Sequence, residues 1–459
     1  MDKIDEINNN QNVSSGDDDD DMMAVLHGTL AAVYSHVVDS DSESSKEEGT
    51  WGGSKKGKAC NVDRDFAGVA ETLIKQYFSG QQSVYNEESF ERRFGGPRPV
   101  IMRVFNTVKG IDPFILKTNR ATRLPGIRPI VRLVAAMRML VYGDCADQLD
   151  EHLQISESVA NENLRAFCKA VVDMFKDEYL NQCPTAADKA RVLALNKKRG
   201  FPGLFASWDC KHYFWKNCPM DLAGQYKGKE KRKTVVMEAI CDPEMYVWYF
   251  NFGHPGSLND INILDRSSIV AAIIKQEFNT RVEEYTINGK KRDFAYFLTD
   301  GIYPSWSIFV RSIALAVGAE EKHFSKRHEH VRKDIERCFG VLVSKFKILE
   351  RPLRGWFMDD IKTMVDCCII LHNMVIEFCR ENFIHTDLRE DFEQEVKIDD
   401  DGDESIFPEN ENELIEGRIN IAALFAARVS HLLNSIEEHD MHVNLQNDLL
   451  HHITNHYYN

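Results

Sequence analysis

The hydrophobic period of this chain changes once, near residue 200, and that change decides what it can fold into. From about 64 to 180, apolar residues recur at three- and four-residue spacings, as in "FAGVAETLIKQYF" and "IVRLVAAMRMLVYG", which predicts helices with one buried face. After "NKKRGFPG" the runs "LFASWDC", "TVVMEAICD" and "MYVWYFNFG" are rich in Val, Ile and aromatics and read as strands. "DPE" between the last two predicts a hairpin turn. Ser257 then predicts the cap of a helix over "LNDINILDRSSIVAAIIKQ", "AYFLTD" returns as a strand, and a further helix runs through "HEHVRKDIERCFGVLVSKF". This order predicts an α+β class, in which a mixed sheet flanked by helices follows an α-helical domain.

Within the helical part, "CADQLDEHLQISESVANENLRAFCKAVVDMF" predicts a short helix, a turn at Ile155 and Ser156, and a longer helix capped by Ser156 or Ser158. A glutamate at its third position suits a capping box. Two readings stay open. The pair is a candidate helix-turn-helix that reads DNA, or it is plain helical packing, since the second helix opens with acids and offers few bases beyond Arg165 and Lys169.

Charge divides the chain further. The formal net charge is -16, yet residues 1–50 hold 13 acids against 2 bases and residues 387–416 hold 14 against 2. The body from 51 to 386 is left at +9, compatible with a polyanionic partner. Both acidic stretches are poor in apolar residues and are expected to be disordered. The domain plan is therefore an acidic tail at 1–60, a helical domain at 64–198, a sheet-bearing domain at 199–385, an acidic linker at 386–416 and a helical tail at 417–459. In that tail "INIAALFAARVSHLLNSI" is an amphipathic helix that docks back on the body or onto a partner.

Eleven cysteines, an odd number without CxxC pairs, argue against a disulfide framework or a zinc ribbon and for a reducing compartment. Cys210, His212 and Cys218 lie close in sequence at a spacing that matches no standard zinc pattern. No apolar run reaches the length of a membrane span and no signal peptide opens the chain, so a soluble intracellular protein without membrane contact is expected.

Three acids occupy informative stations: Asp209 ends the first predicted strand, Asp300 ends the fourth, and Glu336 lies in the later helix. If the first and fourth strands run side by side, as in a ribonuclease-H-like sheet, Asp209 and Asp300 project from neighbours and Glu336 can be aimed at both. Converging carboxylates repel one another, so the arrangement makes sense mainly around Mg²⁺ or Mn²⁺, which prefer oxygen ligands. Two such ions about 4 Å apart activate an attacking water or 3′-hydroxyl and stabilise the leaving oxygen of a phosphodiester. The plainer reading makes Asp300 a solvated turn residue before Gly301 and Glu336 an exposed acid paired with Arg332 at i-4.

The blocks "SWDCKHYFWKNCP", "GHPGSLNDINIL", "YFLTDGIYP" and "RKDIERCFGVLVSKF", in this order, resemble the transposases of the PIF/Harbinger superfamily, the group of plant transposon proteins and their domesticated nuclease relatives. The likeness covers about 75–380. It implies a ribonuclease-H-like catalytic domain whose metal-holding triad falls on Asp209, Asp300 and Glu336, with 35 residues between the last two. It also implies metal-dependent cleavage and strand transfer of DNA, with element ends and target as substrates. A Myb/SANT-like protein is the expected DNA-binding partner. Homo-oligomers are expected, and so is a nuclear location that gives way to a cytoplasmic one without that partner.

Asp260, in the "GSLND" block, is the rival second ligand, although an acid in the first turn of a helix also complements the helix dipole. Arg332 and Glu336 resemble the Arg-x-x-x-Glu face of the glutamate helix in related transposases. Lys227, Lys229, Lys231, Arg232 and Lys233 cluster between the first two strands, as a phosphate-holding patch, a nuclear localisation signal or a solvated loop. Trp208, Tyr213, Trp215 and Trp248 are most simply strand packing, though one could stack on an unpaired base. The alternatives to a nuclease are a catalytically silent descendant serving as a DNA- or chromatin-bound adaptor, and a metal-dependent hydrolase of small phosphoesters.

Overall fold

A computed structural model of the chain describes residues 64–111, 126–228, 231–275, 277–313, 315–382 and 439–458. The expected acidic tail at 1–60, the acidic linker at 386–416 and the amphipathic stretch at 419–436 lie outside the described residues. Residues 74–84 fall in a separate small unit, where a π-helical turn, Ile74–Phe78, precedes a 3₁₀ turn, Gly80–Gln82.

The helical first half is built from α1 (Phe66–Leu73), α2 (Glu87–Phe94), α3 (Arg98–Val108), α4 (Pro129–Tyr142), α5 (Gln148–Leu153), α6 (Glu157–Tyr179) and α7 (Ala186–Lys198). Sequence punctuation sets their ends. The Asn86 side chain accepts from Ser89 N at 3.0 Å to cap α2, and Gly95 closes that helix in the left-handed region at φ 71°. Pro129 opens α4, whose apolar residues from Ile130 to Val141 are nearly all buried, so it is the central helix of this half. Ser156 stands at the cap of α6, but its side chain caps nothing and the third helical position is Val159. The expected capping box therefore does not form. Arg165 and Lys169 are paired with Asp360 and Asp173, and α6 packs on α4, which favours the packing reading of this helix pair.

The second half contributes β1 (Leu204–Phe214), β2 (Thr234–Cys241), β3 (Val247–Pro255), α8 (Asp260–Leu264), α9 (Ser268–Ile274), β4 (Arg281–Ile287), β5 (Lys290–Phe294), β6 (Tyr296–Thr299), β7 (Phe309–Arg311), α10 (Ala319–Arg332), α11 (Asp334–Lys345), α12 (Met358–Glu381) and α13 (His439–Tyr458). One mixed sheet of five strands runs β3-β2-β1-β6-β7, antiparallel from β3 to β1 and parallel from β1 to β7. The strand holding "AYFLTD" thus lies beside the one holding "LFASWDC", with Ser207 opposite Leu298.

Three expectations are corrected. The helix expected over "LNDINILDRSSIVAAIIKQ" is two helices, α8 and α9, and the first is capped by Asn259, accepting from Asn262 N at 2.9 Å, rather than by Ser257. The helix through "HEHVRKDIERCFGVLVSKF" begins earlier, at Ala319, and breaks at Lys333 into α10 and α11. Between α9 and β6 stands an unexpected two-stranded hairpin, β4–β5. It turns at Asn288 and Gly289, both at positive φ, the sequence signal for a tight hairpin.

Both faces of the sheet are covered, and β6 shows why its sequence is continuously apolar. Phe297 points into a cluster with Phe205, Trp208, Trp248 and Phe309, packed with Leu264 and Ile269. Its neighbours Tyr296 and Leu298 point to the opposite face, with Leu204, Val310, Phe324 and Val331. That second cluster is completed by Leu445, Leu449 and Ile453 of α13, so this helix docks back on the body. Asp448 pins it, receiving Lys290 Nζ at 2.9 Å and an Arg292 guanidinium nitrogen at 2.7 Å. Among the described residues no helix is long and apolar enough to cross a membrane.

Candidate active site

Asp209 stands on β1 opposite Ala239, two residues beyond the last described pair with β6. Its Oδ1 accepts from the Cys210 backbone N–H at 2.8 Å and its Oδ2 from Arg332 Nη1 at 3.0 Å. Burial pushes this carboxyl up to about 6; the Cys210 N–H and Arg332 pull it down, while Asp260 and then Asp300 push it further up. Two more acids therefore lie close enough to repel Asp209.

Asp300 follows β6 directly. Its Oδ1 accepts from Ile302 N at 2.6 Å, so the turn reading is realised: the side chain closes an Asx turn over Gly301. The role does not exclude the other, because one oxygen shapes the turn while the group remains within electrostatic reach of Asp209. Asp260 occupies the first position of α8, behind its Asn259 cap, where the helix dipole favours an acid.

Glu336 lies in the first turn of α11 and reaches the site through Arg332, whose Nη2 donates to Glu336 Oε1 at 2.7 Å across the helix break. The same guanidinium donates to Glu329 Oε2 from Nε and Nη2, both at 3.0 Å. Burial alone would lower Arg332, but the bond to Glu329 and the charges of Glu329, Asp209 and Glu336 more than offset it and raise it. The His328 ring, 3.8 Å away, and Arg332 together hold Glu329 down to about 2.

The three predicted acids are thus linked in different ways. Asp300 acts on Asp209 directly, whereas Glu336 is joined to Asp209 through one arginine. Among the described residues no group of three or more His, Cys, Asp or Glu side chains is gathered to hold a metal ion. The donor chemistry nonetheless suits a hard divalent cation, since every acid concerned offers oxygen and Asp209 is repelled by two neighbours. Arg332 supplies the positive charge that such a cluster requires.

Two acids escaped the sequence reading. Glu329 shares a helical face with Arg332, a signal available in the i,i+3 spacing. Glu238 is wholly buried in β2, accepting from Trp208 Nε1 at 3.0 Å, Ser267 Oγ at 2.8 Å and Tyr249 OH at 3.4 Å. Burial raises its carboxyl to about 7. Its signal is a lone charge inside the apolar run "TVVMEAIC".

The basic stretch forms the far end of the β1–β2 connection. Lys227 and Lys233 pair across a tight turn in which Gly228 N donates to Arg232 O and Lys231 takes φ 59°. Lys227, Lys231 and Arg232 are exposed, and Lys229 lies outside the described residues. Trp208, Tyr213, Trp215 and Trp248 are all buried, as the packing reading requires. Cys210 Sγ lies 3.7 Å from Tyr303 OH and His212 Nδ1 lies 3.0 Å from Thr234 Oγ1, so the two groups have separate partners.

Residues 177–383, a little under half the chain, match the protein-family model described as plant transposon protein. The chain is 20% identical over 253 residues to "Protein ALP1-like" from Arabidopsis thaliana, covering 54% of this chain and 60% of that protein. It is 20% identical over 297 residues to "Putative nuclease HARBI1" from Mus musculus, covering 63% of this chain and 78% of that protein. No solved structure matches. The resemblance to Harbinger-type transposases drawn from the four sequence blocks is borne out.

Proposed function

We propose that this chain, similar over its sheet-bearing part to plant transposon proteins and to a Harbinger-derived nuclease, is a metal-dependent DNA endonuclease of the transposase type. One observation carries the reading: beside the β1–β6 pairing the half-buried Asp209 is crowded by Asp260 and Asp300 and tied through Arg332 to Glu336. A fold does not accumulate repelling carboxylates around a central strand for stability, because unpaired they cost several kcal/mol. The strand order β3-β2-β1-β6-β7 supports a ribonuclease-H-like identity for the domain.

Asp209, Asp300 and Glu336 would hold Mg²⁺ or Mn²⁺, with Asp260 as the rival for the second position. When bound, such ions polarise the scissile phosphodiester and lower the pKa of an attacking water or 3′-hydroxyl. The chain's own residues do the rest. The Cys210 N–H fixes the rotamer of Asp209, the Ile302 N–H fixes that of Asp300, and Arg332 orients Glu336. Arg332 also opposes the effect of burial at Asp209 and so favours its ionised form, the one that binds a cation. Strand transfer between element ends and target, a Myb/SANT-like partner, a homo-oligomer and a nuclear location belong to the same reading.

A second reading, a catalytically silent adaptor on DNA or chromatin, draws on the same arginine. Arg332 already pairs with Asp209 and Glu336, so these two acids have a counter-charge without a cation. Nicking of supercoiled plasmid by the full chain, with Mn²⁺ and with EDTA, separates the two. The nuclease reading expects Mn²⁺-dependent nicking that is lost in Asp209→Asn; equal nicking by that variant, or none by the wild type, overturns it.

A further inference from the structure

The far end of β1 carries a surface that the carboxylate cluster does not use. The loop after α11 is stitched to it: Leu353 N donates to Phe214 O at 2.8 Å and Lys216 N to Leu353 O at 2.9 Å. Side chains add to the seam, with Trp215 Nε1 donating to Gly355 O at 2.8 Å and Asn217 Nδ2 to Arg354 O at 2.6 Å. Trp215 joins the basic turn as well, since its backbone N donates to Lys233 O at 2.8 Å and its ring meets Tyr226 edge to face at 4.9 Å. One buried tryptophan thus holds two loops side by side.

The outward face of this seam is unusual in two respects. Trp356 and Phe357 are 63% and 72% exposed although their loop is fixed, and a Cβ at Gly355 would come within 2.5 Å of Ile361. Beside them Lys216, Lys227, Lys231, Arg232 and Arg354 are exposed, and among the described residues none of them is paired with an acid. The β1–β2 connection offers a single described acid, Asp221, against five bases. Exposed aromatic faces next to exposed cations are the two components that bind unpaired bases and their phosphates together.

We infer that this surface holds a single-stranded DNA segment, with a base stacked on Trp356 and the backbone on Lys216, Lys227, Lys231 and Arg232. The inference rests on the DNA-nuclease reading above and extends it to the strand that the site must manage. Trp215 lies six positions beyond Asp209 along β1 and its end, a span of roughly 20 Å at about 3.3 Å per residue. A strand of a few nucleotides bridges that distance. An apolar protein ligand would leave the cations unpaired, which favours the nucleic acid as occupant.

The test is binding without cleavage. Full-length protein in EDTA is titrated into a labelled single-stranded oligonucleotide of about 20 nucleotides and into a blunt duplex of the same length, both read by fluorescence anisotropy. Trp356→Ala is expected to weaken single-strand binding about tenfold while duplex binding changes less than about threefold. Lys227→Ser/Lys231→Ser/Arg232→Ser is expected to weaken both and to lower the log–log salt slope for single strands by about 2. Trp356 is exposed, so an unchanged melting temperature establishes that folding survives. Unchanged single-strand affinity in Trp356→Ala, or an equal loss on both substrates, overturns the inference. Self-association lost in that variant with unchanged DNA affinity assigns the face to a second copy of the chain instead and also overturns it. A chain that never nicks DNA yet shows the selective loss would sink the nuclease reading and leave this surface standing.

Discussion

Arg332 holds Asp209 and Glu336 with different nitrogens of one guanidinium, Nη1 at 3.0 Å from the first and Nη2 at 2.7 Å from the second. The two acids are 127 positions apart by residue number and sit on a strand and a helix, so the arginine is the physical connection between them. Its own side chain is 12% exposed and that of Asp209 is 16%, which makes the first of these pairs a shielded one.

Replacing Arg332 with Gln keeps hydrogen-bonding capacity and removes the charge. Asp209 is then left half-buried among acids, and the metal-free protein should lose on the order of 2–4 kcal/mol. Added Mg²⁺ should recover more of that loss than it adds to the wild type, because the cation replaces the missing positive charge. Thermal unfolding with and without millimolar Mg²⁺ measures both quantities. Equal Mg²⁺ responses in the two proteins would show that no cation site lies beside Arg332.

Among the carboxylates, Asp209→Asn, Asp300→Asn and Glu336→Gln are each expected to reduce plasmid nicking at least about a hundredfold, whereas Asp260→Asn retains most of it. Each change preserves shape and removes one negative charge. Asp260 contributes more repulsion at Asp209 than Asp300 does, so this comparison decides which acid is the second ligand. A dead Asp260→Asn beside an active Asp300→Asn would move the role to Asp260.

Glu238 predicts a pH dependence of stability. Its carboxyl is raised to about 7 by burial, against an unfolded value near 4.3. A raised carboxyl binds its proton more tightly when folded, so its stabilising contribution is complete below the unfolded value and is lost as pH rises through about 7. The loss should reach on the order of 3 kcal/mol. Glu238→Gln, whose Oε1 can still accept from Trp208 Nε1 while its Nε2 donates to Ser267 Oγ, should flatten this part of the profile. Chemical denaturation between about pH 4.5 and 7.5 records it, and parallel curves for the two proteins would refute the assignment.

Asp448→Ala should loosen α13. The substitution strands Lys290 and Arg292 and leaves the helix held by its apolar contacts and by the hydrogen bonds of His442 and Gln446 to the backbone carbonyls of Phe309 and Arg311. Hydrogen exchange across residues 439–458 should rise by about tenfold or more, while α4 is unchanged. Protection that stays at wild-type levels in α13 would mean that the Leu445, Leu449 and Ile453 contacts suffice together with the His442 and Gln446 hydrogen bonds.

Much of the sheet was legible because its strands are buried on both faces and read as apolar runs, as "TVVMEAIC" and "YFLT" do. The β4–β5 hairpin was not, because Arg281, Glu283, Glu284, Lys290, Lys291 and Arg292 give it the composition of a loop, and only Asn288–Gly289 marks the turn. The break at Lys333 is invisible for a related reason: the helical period runs on across it from Val331 to Ile335 and Cys338. Of the contacts of Arg332, those to Glu329 and Glu336 follow from i,i+3 and i,i+4 spacing, whereas the one to Asp209 needs the tertiary fold. Composition also fails to separate Trp215 from Trp356; the first is buried at the seam of two loops and the second faces water.

The seating of α13 on the sheet has a consequence for synthesis on the ribosome. The face formed by Leu204, Tyr296, Leu298 and Val310 receives its last covering residues only with Leu445, Leu449 and Ile453. At elongation rates of about 5–20 residues per second, roughly 7–30 s pass between the emergence of β7 and that of α13. Once α10 has emerged, the nascent chain still presents a partly covered apolar sheet face, a surface of the kind that recruits chaperones and seeds aggregation. Closure of this face therefore waits for α13, and slowing translation between β7 and α13 lengthens the hazard.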